Sequence, residues 1–171
     1  MSLRLETERL VLRPPEARDV PALTEFYVSE RSRYAGGNVP RAKAWSNAAA
    51  MLGHWQIRGY GLWAVTLRGD DTAIGLVGPY YPDGRPETEI GWELFDGAEG
   101  HGYALEAARA AVKDCRERLG WTEIVHYIAP ENTRSIALAE RLGAYLDVDA
   151  PQPKPDFPCL VYRQPKPAEA L

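Results

Sequence analysis

The feature that most constrains the fold of this chain is the stretch of residues 89–107, in which three patterns follow one another. Over residues 90–95 apolar and polar side chains alternate, which predicts a strand with one buried face. Residues 96–102 include three glycines and predict a turn. From Tyr103 onward the apolar residues recur at helical spacing. A strand, a glycine turn and a helix in direct succession are typical of α/β folds.

The glycine turn is a candidate anion site. Backbone N–H groups are free at a helix N-terminus and the helix dipole favours negative charge there, so phosphate can bind without a basic side chain. Gly100 and Gly102 have no Cβ that would keep an anion off the backbone. A dinucleotide fingerprint is disfavoured because Leu105 replaces its third glycine, and the chain has no Walker A sequence. On these residues alone, glycines that serve only helix packing are the simpler interpretation.

The rest of the chain predicts one α/β domain. Helical spacing predicts a helix over residues 41–58, and three strands between residues 62 and 95 are joined by short turns, as in an antiparallel meander. The strand at residues 123–128 follows the helix from Tyr103, so it should lie parallel to the strand before that helix. We predict a mixed, mostly antiparallel sheet of six to seven strands with helices on both faces. Ligands of such sheets bind in the crevice beyond the carboxyl ends of parallel strands.

Three motifs, in order along the chain, resemble those of the GNAT N-acetyltransferases. Residues 7–14 resemble the opening strand of the branch that includes the ribosomal-protein N-terminal acetyltransferases. Residues 89–107 are similar to the acyl-CoA motif of the family, and residues 132–144 resemble its Asn-x-x-Ser helix with a terminal Leu-Gly. One position departs from the pattern, since Gly97 stands where many members carry Gln or Arg. This branch varies at that position.

The resemblance implies a single N-acetyltransferase domain, residues 1–164, with a flexible tail over residues 165–171. Its two central parallel strands would be splayed, and acetyl-CoA would bind between them as a co-substrate, without a metal. The pantetheine arm would pair with the backbone of the first strand, as an added strand does. The residues that match the family's cofactor-binding positions are Trp92, Leu94, Phe95, Glu99, Gly100, His101, Gly102, Tyr103, Ala104, Asn132 and Ser135.

The catalytic candidates are Ser135 and Glu93. Transfer from a thioester to an amine needs a base for the amine and a proton for the leaving thiolate, but no protein nucleophile if the amine attacks directly. Ser135 matches the family position whose hydroxyl donates to the CoA sulfur, and a helix-surface serine is the alternative. Glu93 is the candidate base, with Glu89 and His126 as further candidates. A solvated strand face is the alternative for both glutamates, and a histidine packed in the sheet is the alternative for His126. Simple helix capping is the alternative for Asn132.

Composition narrows the classes of ligand. The net charge is −4 and no basic stripe is present, which disfavours nucleic acid as the main ligand. No apolar run approaches the roughly 20 residues of a membrane span, and the first residues show no signal-peptide core, so we expect a cytoplasmic protein without a membrane partner. Cys115 and Cys159 lack metal-ligand spacing, and Cys115 falls on the apolar face of its helix, where an inert thiol is expected.

The sequence therefore predicts an enzyme, an acetyl-CoA-dependent N-acetyltransferase that works in a ternary complex. The acceptor would be a small-molecule amine or a protein N-terminus, and the protein a monomer or a homodimer. In this family the loop at residues 29–40 borders the acceptor site, so Arg31, Arg33 and Tyr34 are candidates for substrate contact, with solvated loop charges as the alternative. A different hypothesis is a non-catalytic acyl-CoA-binding or sensor module of the same fold, which would not need Ser135.

Overall fold

The structure, a computed structural model, describes residues 3–167 and shows one mixed sheet of eight strands. The strands are β1 (Leu5–Glu6), β2 (Leu10–Arg13), β3 (Trp63–Leu67), β4 (Ala73–Tyr80), β5 (Glu89–Leu94), β6 (Val125–Ile128), β7 (Tyr145–Leu146) and β8 (Leu160–Arg163). The helices are α1 (Val20–Val28), α2 (Arg41–Arg58), α3 (Tyr103–Glu117) and α4 (Thr133–Arg141), with 3₁₀ turns at Ala17–Asp19 and Glu30–Ser32. The predicted α/β class is confirmed.

The sheet has the strand order β1-β2-β3-β4-β5-β6-β8-β7. All neighbouring strands are antiparallel except β5 and β6, which are parallel as predicted. The sheet has eight strands where the sequence predicted six to seven, because the predicted opening strand is divided. Thr7 N–H donates to Leu10 O at 3.0 Å and closes a turn between β1 and β2.

Two apolar cores lie on opposite faces of the sheet. On one face α3 packs with small side chains against β2, β3, β4 and β5, and α4 covers the neighbouring part of that face. On the other face α1 and α2 pack against β3 and β4. Side chains alternate along each strand, so successive residues of β5 point into different halves of the molecule. This alternation decides which chemistry each residue of β5 can reach.

The parallel pair at the centre of the sheet is short. β5 and β6 pair at one register position, Glu89 with Val125, and the Val125 N–H donates to Thr88 O at 3.0 Å. Beyond this point the His126 ring, and not a backbone amide, binds the next carbonyl of β5, with Nδ1 2.7 Å from Ile90 O. The two strands therefore diverge toward their carboxyl ends and leave an open crevice. This is the splayed pair that the resemblance implies.

The predicted C-terminal tail is described only as far as residue 167. Its first residues are in contact with the domain: Arg116 Nη2 donates to Pro165 O at 2.9 Å, and Lys166 Nζ lies 2.5 Å from Glu123 Oε1. Residues 168–171, like residues 1–2, lie outside the described residues, so the flexibility of the tail stays a prediction.

Candidate functional site

The crevice between β5 and β6 exposes backbone groups of β5. Pro79 of β4 stands opposite Ile90 and has no N–H, so the backbone groups of Ile90 face β6 and not β4. By alternation, the N–H and C=O groups of Trp92 and Leu94 face the crevice as well. Arg31 Nε already donates to Leu94 O at 2.7 Å. Both backbone groups of Trp92 and the Leu94 N–H are thus directed into the open crevice.

Phe95, which the sequence grouped with Trp92 and Leu94, does not reach the crevice. Its N–H donates to Ile74 O at 2.9 Å, and its carbonyl accepts from the Ala98 N–H at 3.1 Å. Its ring packs against the Phe26 ring of α1, with centroids 5.4 Å apart. Alternation along β5 explains this placement, since the residue after Leu94 faces β4. Phe95 is accordingly a core residue in this structure.

Helix α4 presents Ser135 to the crevice from the face that α3 and α4 cover. Asn132 is the N-cap of α4, and its Oδ1 accepts the Ser135 N–H at 3.3 Å. From the sheet, Trp92 Nε1 donates to Ser135 Oγ at 3.0 Å. Ser135 is therefore half-buried and hydrogen-bonded to β5, and is not a free serine on the helix surface.

Glu93 belongs to the opposite face of the sheet. The buried Tyr27 of α1 donates its hydroxyl to Glu93 Oε2 at 2.8 Å. Burial raises the pKa of Glu93 to about 8; the hydrogen bond from Tyr27 lowers this pKa and the charge of Glu89 raises it further. The solvated strand face that the sequence left open does not apply here, because the carboxyl is bonded to a core tyrosine. A half-buried carboxyl with this pKa is present in both protonation states near neutral pH, and its ionised form is a stronger base than an ordinary carboxylate.

Glu89 lies on the same face, with 12% of its side chain exposed and its Oε2 3.7 Å from Arg85 Nη1. Burial raises the pKa of Glu89 to about 7 against the charge of Arg85. Among the described residues, neither Glu89 Oε2 nor the Tyr127 hydroxyl has a hydrogen-bond partner, although both atoms are buried. Gly91 stands between the two glutamates, and a Cβ there would lie 3.8 Å from Glu89 Oε1. Leu62 Cδ2 would lie at the same distance from that Cβ, so the glycine keeps this position between the two carboxyls free of a side chain.

His126, the third candidate base, has both ring nitrogens occupied. Nδ1 donates to Ile90 O at 2.7 Å, and Nε2 accepts from Gln164 Nε2 at 2.9 Å. The tautomer follows from these partners, since a carbonyl can only accept. The ring is 1% exposed, and burial lowers the pKa of His126 to about 4. The imidazole is neutral and hydrogen-bonded at both nitrogens, so it is not available as a base. Its bond to Ile90 O takes the place of a backbone bond where the strands diverge.

The glycine turn ends in the N-terminus of α3. Gly100 and Gly102 have φ values of +79° and +80°, a region that glycine adopts without strain. Nothing lies within 4 Å of a Cβ built on Gly100, so the backbone there is open to a ligand. The first amides of α3, including those of Tyr103 and Ala104, have no acceptor within the helix. The His101 ring stacks on the Tyr103 ring at 5.3 Å. The geometry is that of a helix N-terminal anion site.

Arg9 belongs to this site, and sequence reasoning did not single it out. Its Nη1 donates to His101 O at 2.9 Å, and its Nε lies 2.7 Å from Glu106 Oε2 in the first turn of α3. Thr7 Oγ1 donates to the other oxygen of Glu106 at 2.6 Å. The opening motif at residues 7–14 thus ties the glycine turn to the sheet. The motif was visible in the sequence, but its partner lies 97 positions away from Arg9.

The mouth of the crevice carries a group of charges. Glu99 forms ion pairs with Arg31 and, at 3.4 Å, with Arg134 Nη1 of α4. Arg31 therefore reaches the crevice mouth from the loop that the sequence placed beside the acceptor site. Arg33 and Tyr34 of the same loop stack on each other, with the guanidinium 4.7 Å from the ring centroid. Of the three candidates in this loop, Arg31 is the one that contacts β5.

Further properties of the described residues concern metal-ligating side chains, helix lengths and the two thiols. Within residues 3–167 no group of three or more His, Cys, Asp or Glu side chains is arranged to hold a metal ion. No helix in that part of the chain has the length and apolar character needed to cross a membrane. Cys115 and Cys159 are free thiols, and burial raises the pKa of each. Neither is poised as a thiolate nucleophile.

The family of the chain follows from its match to a known domain. The sequence profile of the acetyltransferase (GNAT) domain matches residues 9–145, which contain the crevice, the glycine turn and Ser135. The chain belongs to the GNAT acetyltransferase family. The matched residues include the splayed strands β5 and β6 and the glycine turn, as the sequence motifs indicated.

Individual proteins are also similar to this chain. The crystal structure of the acetyltransferase from Agrobacterium tumefaciens str. C58 is 38% identical, with a TM-score of 0.89 over 97% of this chain and 96% of that one. The uncharacterized N-acetyltransferase YnaD of Bacillus subtilis (strain 168) is 27% identical over 143 residues, 82% of each protein. RimL, a ribosomal L7/L12 alpha-N-protein acetyltransferase solved in complex with coenzyme A, shares the fold at 17% identity, with a TM-score of 0.71 over 95% of this chain and 97% of that one.

Proposed function

We propose that this protein is an acetyl-CoA-dependent N-acetyltransferase that moves the acetyl group to a primary amine by direct attack in a ternary complex. The observation that carries the proposal is the crevice in the sheet, which Ser135 borders from one face and Glu93 from the other. A thioester in that crevice has a proton donor on the side of its sulfur and a base on the side from which an amine can approach.

Acetyl-CoA would bind along the crevice. The pyrophosphate would take the open backbone amides of residues 100–104, flanked by Glu99 and His101. The pantetheine arm would pair with the backbone groups of Trp92 and the Leu94 N–H, as an added strand does, and pass Asn132 at the start of α4. Family membership and the unobstructed Gly100 support this arrangement.

The transfer removes two protons from the acceptor nitrogen and adds one to the departing sulfur. The ammonium of the acceptor gives a proton to Glu93, directly or through one water, and the neutral nitrogen attacks the thioester carbonyl carbon. The nitrogen of the tetrahedral intermediate loses its second proton to solvent as the C–S bond breaks, and Glu93 then returns its own proton to solvent. The Ser135 hydroxyl gives its proton to the departing thiolate and regains one from solvent. The products are the acetylated amine and free CoA, and the protein forms no covalent intermediate.

The acceptor would enter from the face of α1 and α2. The carboxyls of Glu89 and Glu93 favour a group that arrives as a cation, and the orphaned hydroxyl of Tyr127 offers one further hydrogen bond. A small-molecule amine and a protein N-terminus both meet these requirements. We expect the enzyme in the cytoplasm, and the proposed reaction involves neither nucleic acid nor a membrane.

An acceptor screen tests the proposal. Purified protein and acetyl-CoA are incubated with peptides of different N-terminal residues, polyamines, aminoglycosides and aminoacyl conjugates, and both free thiol and acetylated product are measured. We expect thiol release that matches acetylated product for one class of amine. Binding of acetyl-CoA by calorimetry without turnover on any amine would favour the acyl-CoA-binding module. Absence of binding would contradict both functions.

A further inference from the structure

We infer that Trp92 is a positioning residue for acetyl transfer, whose indole N–H holds the Ser135 hydroxyl so that the hydroxyl proton is directed to the departing sulfur. The inference rests on the proposed function, in which Ser135 is the proton donor. It adds a second task to a residue whose backbone faces the crevice.

The hydrogen bond between the two side chains determines what the serine can do. Trp92 Nε1 lies 3.0 Å from Ser135 Oγ. An indole N–H can only donate, so the serine oxygen must accept. A hydroxyl has one proton and two lone pairs, and this contact uses a lone pair while it leaves the proton free. The oxygen is thus anchored with its proton available to another acceptor.

Other helix hydroxyls of the chain behave differently. Thr24 and Ser46 donate to the carbonyls four residues earlier, at 2.8 and 3.0 Å, the usual local bond of such residues inside helices. Ser135 is the third residue of α4, and the residue four before it, Glu131, precedes the helix cap. The Glu131 carbonyl accepts the Thr133 N–H at 3.0 Å. Among residues 3–167, the hydrogen bond of Ser135 Oγ is the one from Trp92, so the serine proton is not bonded to the Glu131 carbonyl.

The Trp92 ring is itself held in place from two sides. The ring of His126 lies 4.7 Å from it between centroids, at an interplanar angle of 43°. His126 is fixed by its bonds to Ile90 and Gln164. On the α4 side, Trp92 packs against the apolar cluster that contains Ile128. A donor that is oriented before the reaction needs no rearrangement when charge develops on the sulfur, and such preorganisation contributes to rate more than to ground-state binding.

The test is Trp92→Phe, which keeps an aromatic ring but removes the N–H. We expect kcat to fall about 3- to 10-fold, as for the loss of one neutral hydrogen bond. The Kd for acetyl-CoA, measured by calorimetry, should stay within about twofold because the backbone contacts remain. In the Ser135→Ala background the same substitution should change kcat by less than about twofold, since there is no hydroxyl left to orient.

A matched control is Trp63→Phe. Trp63 lies on the same face of the sheet, and its buried Nε1 has no hydrogen-bond partner among the described residues. Its replacement should lower the free energy of unfolding. The kcat of a folded sample of this variant should equal that of the wild-type protein. This control separates the loss of aromatic volume from the loss of the N–H.

The outcomes are distinct. An unchanged kcat for Trp92→Phe, or an equal fall in the presence and absence of Ser135, would overturn the inference. Full kcat for Ser135→Ala would overturn the proton-donor role of Ser135 and the inference with it, but not the transferase activity, which wild-type turnover measures. A fall in kcat that disappears in the Ser135→Ala background supports the inference.

Discussion

Glu93 illustrates how tertiary contacts change the chemistry of one residue. A glutamate has an ordinary pKa of 4.5 and is a weak base for an alkylammonium group of pKa about 10.4. Burial beside Tyr27 raises the pKa of Glu93 to about 8. Proton transfer from the acceptor to Glu93 is therefore less unfavourable than to a solvated carboxylate. The same burial leaves a share of the enzyme protonated, and inactive as a base, at pH 7.

The pH dependence of the reaction should report this group. With an alkylamine acceptor, we expect kcat/KM to rise with pH through an apparent pKa of about 8, because only the ionised carboxylate of Glu93 accepts a proton. Glu93→Gln should lower kcat by about 10²- to 10⁴-fold and remove this rise. The measurement is the steady-state rate between about pH 6 and pH 9.5, a range that brackets the titration of a base with this pKa.

Glu89→Gln is the matched control for that experiment. It should keep the rise with pH but move it to lower pH, because the charge of Glu89 contributes to the raised pKa of Glu93. The two carboxyls interact, so the apparent pKa values belong to the pair. A pH profile that is identical in Glu93→Gln and wild type would exclude Glu93 as the base.

Ser135→Ala tests the other half of the mechanism. Loss of one hydrogen bond to a developing charge costs about 1.5–3 kcal/mol, so kcat should fall roughly 10- to 100-fold. The Kd for acetyl-CoA should change far less, since the proposed phosphate and pantetheine contacts do not involve this hydroxyl. Ser46→Ala, which removes an exposed helix hydroxyl bonded to Ala42 O, should change neither quantity. If only binding of acetyl-CoA weakens in Ser135→Ala, solvent must protonate the thiolate.

At the scale of an element, the glycine turn joins a strand to a helix and keeps the backbone open. Gly100→Ala should weaken acetyl-CoA binding, because a methyl group would stand where the pyrophosphate approaches. Gly69→Ala in the β3–β4 hairpin is its matched control: both glycines have left-handed φ values, +79° and +85°, and both have open space at Cβ. Each substitution should destabilise the fold by about 1–2 kcal/mol. Calorimetry should show reduced affinity in Gly100→Ala alone, and equal affinities would contradict the phosphate site.

The crevice also arises at the scale of an element, because it depends on how strands β5 and β6 pair. One register pair is formed, and then a histidine ring replaces the next backbone amide at the Ile90 carbonyl. Backbone groups that would otherwise bond across the sheet are thereby left for a ligand.

Across the whole molecule, the buried carboxyls connect the site to stability. Glu89 and Glu93 have folded pKa values of about 7 and 8, above the ordinary value of 4.5, so the native state holds protons that the unfolded chain has lost. This stabilisation is complete below pH 4.5 and is lost as the pH rises through the folded pKa values. His126, with a pKa lowered from 6.5 to about 4, has the opposite effect, but only below its ordinary value of 6.5.

Between the ordinary histidine pKa of 6.5 and the Glu93 pKa of about 8, the glutamates affect the free energy of unfolding and His126 does not. We expect the free energy of unfolding to fall as the pH rises from 6.5 to 8, the two pKa values concerned, by at most about 1.4 kcal/mol per pH unit for each titrating carboxyl. The double variant Glu89→Gln, Glu93→Gln should lose most of this dependence. The measurement is urea unfolding at several pH values. An equal dependence of the free energy of unfolding on pH in the wild type and the double variant would contradict the prediction.

The sequence by itself determined the parts of this protein that depend on near neighbours. The bounds of α2 agree with the predicted helix over residues 41–58 because helical spacing and the following Gly59, with φ of +74°, act locally. The strand, glycine turn and helix at residues 89–107 follow from alternation and from glycines that tolerate positive φ. Asn132 caps α4 three residues before Ser135, again a local bond. These patterns, read together, were enough to identify the family and the parallel pair.

Only the tertiary structure decided which of those residues meet. The bond from Trp92 to Ser135 spans 43 positions, that from Tyr27 to Glu93 spans 66, and the pair of Arg9 with Glu106 spans 97. The strand register determined that Phe95 turns into the core while Trp92 faces the crevice. The raised pKa of Glu93 depends on burial by α1, a segment far away in the chain. Contacts of this kind depend on how the sheet and helices pack, which no local pattern encodes.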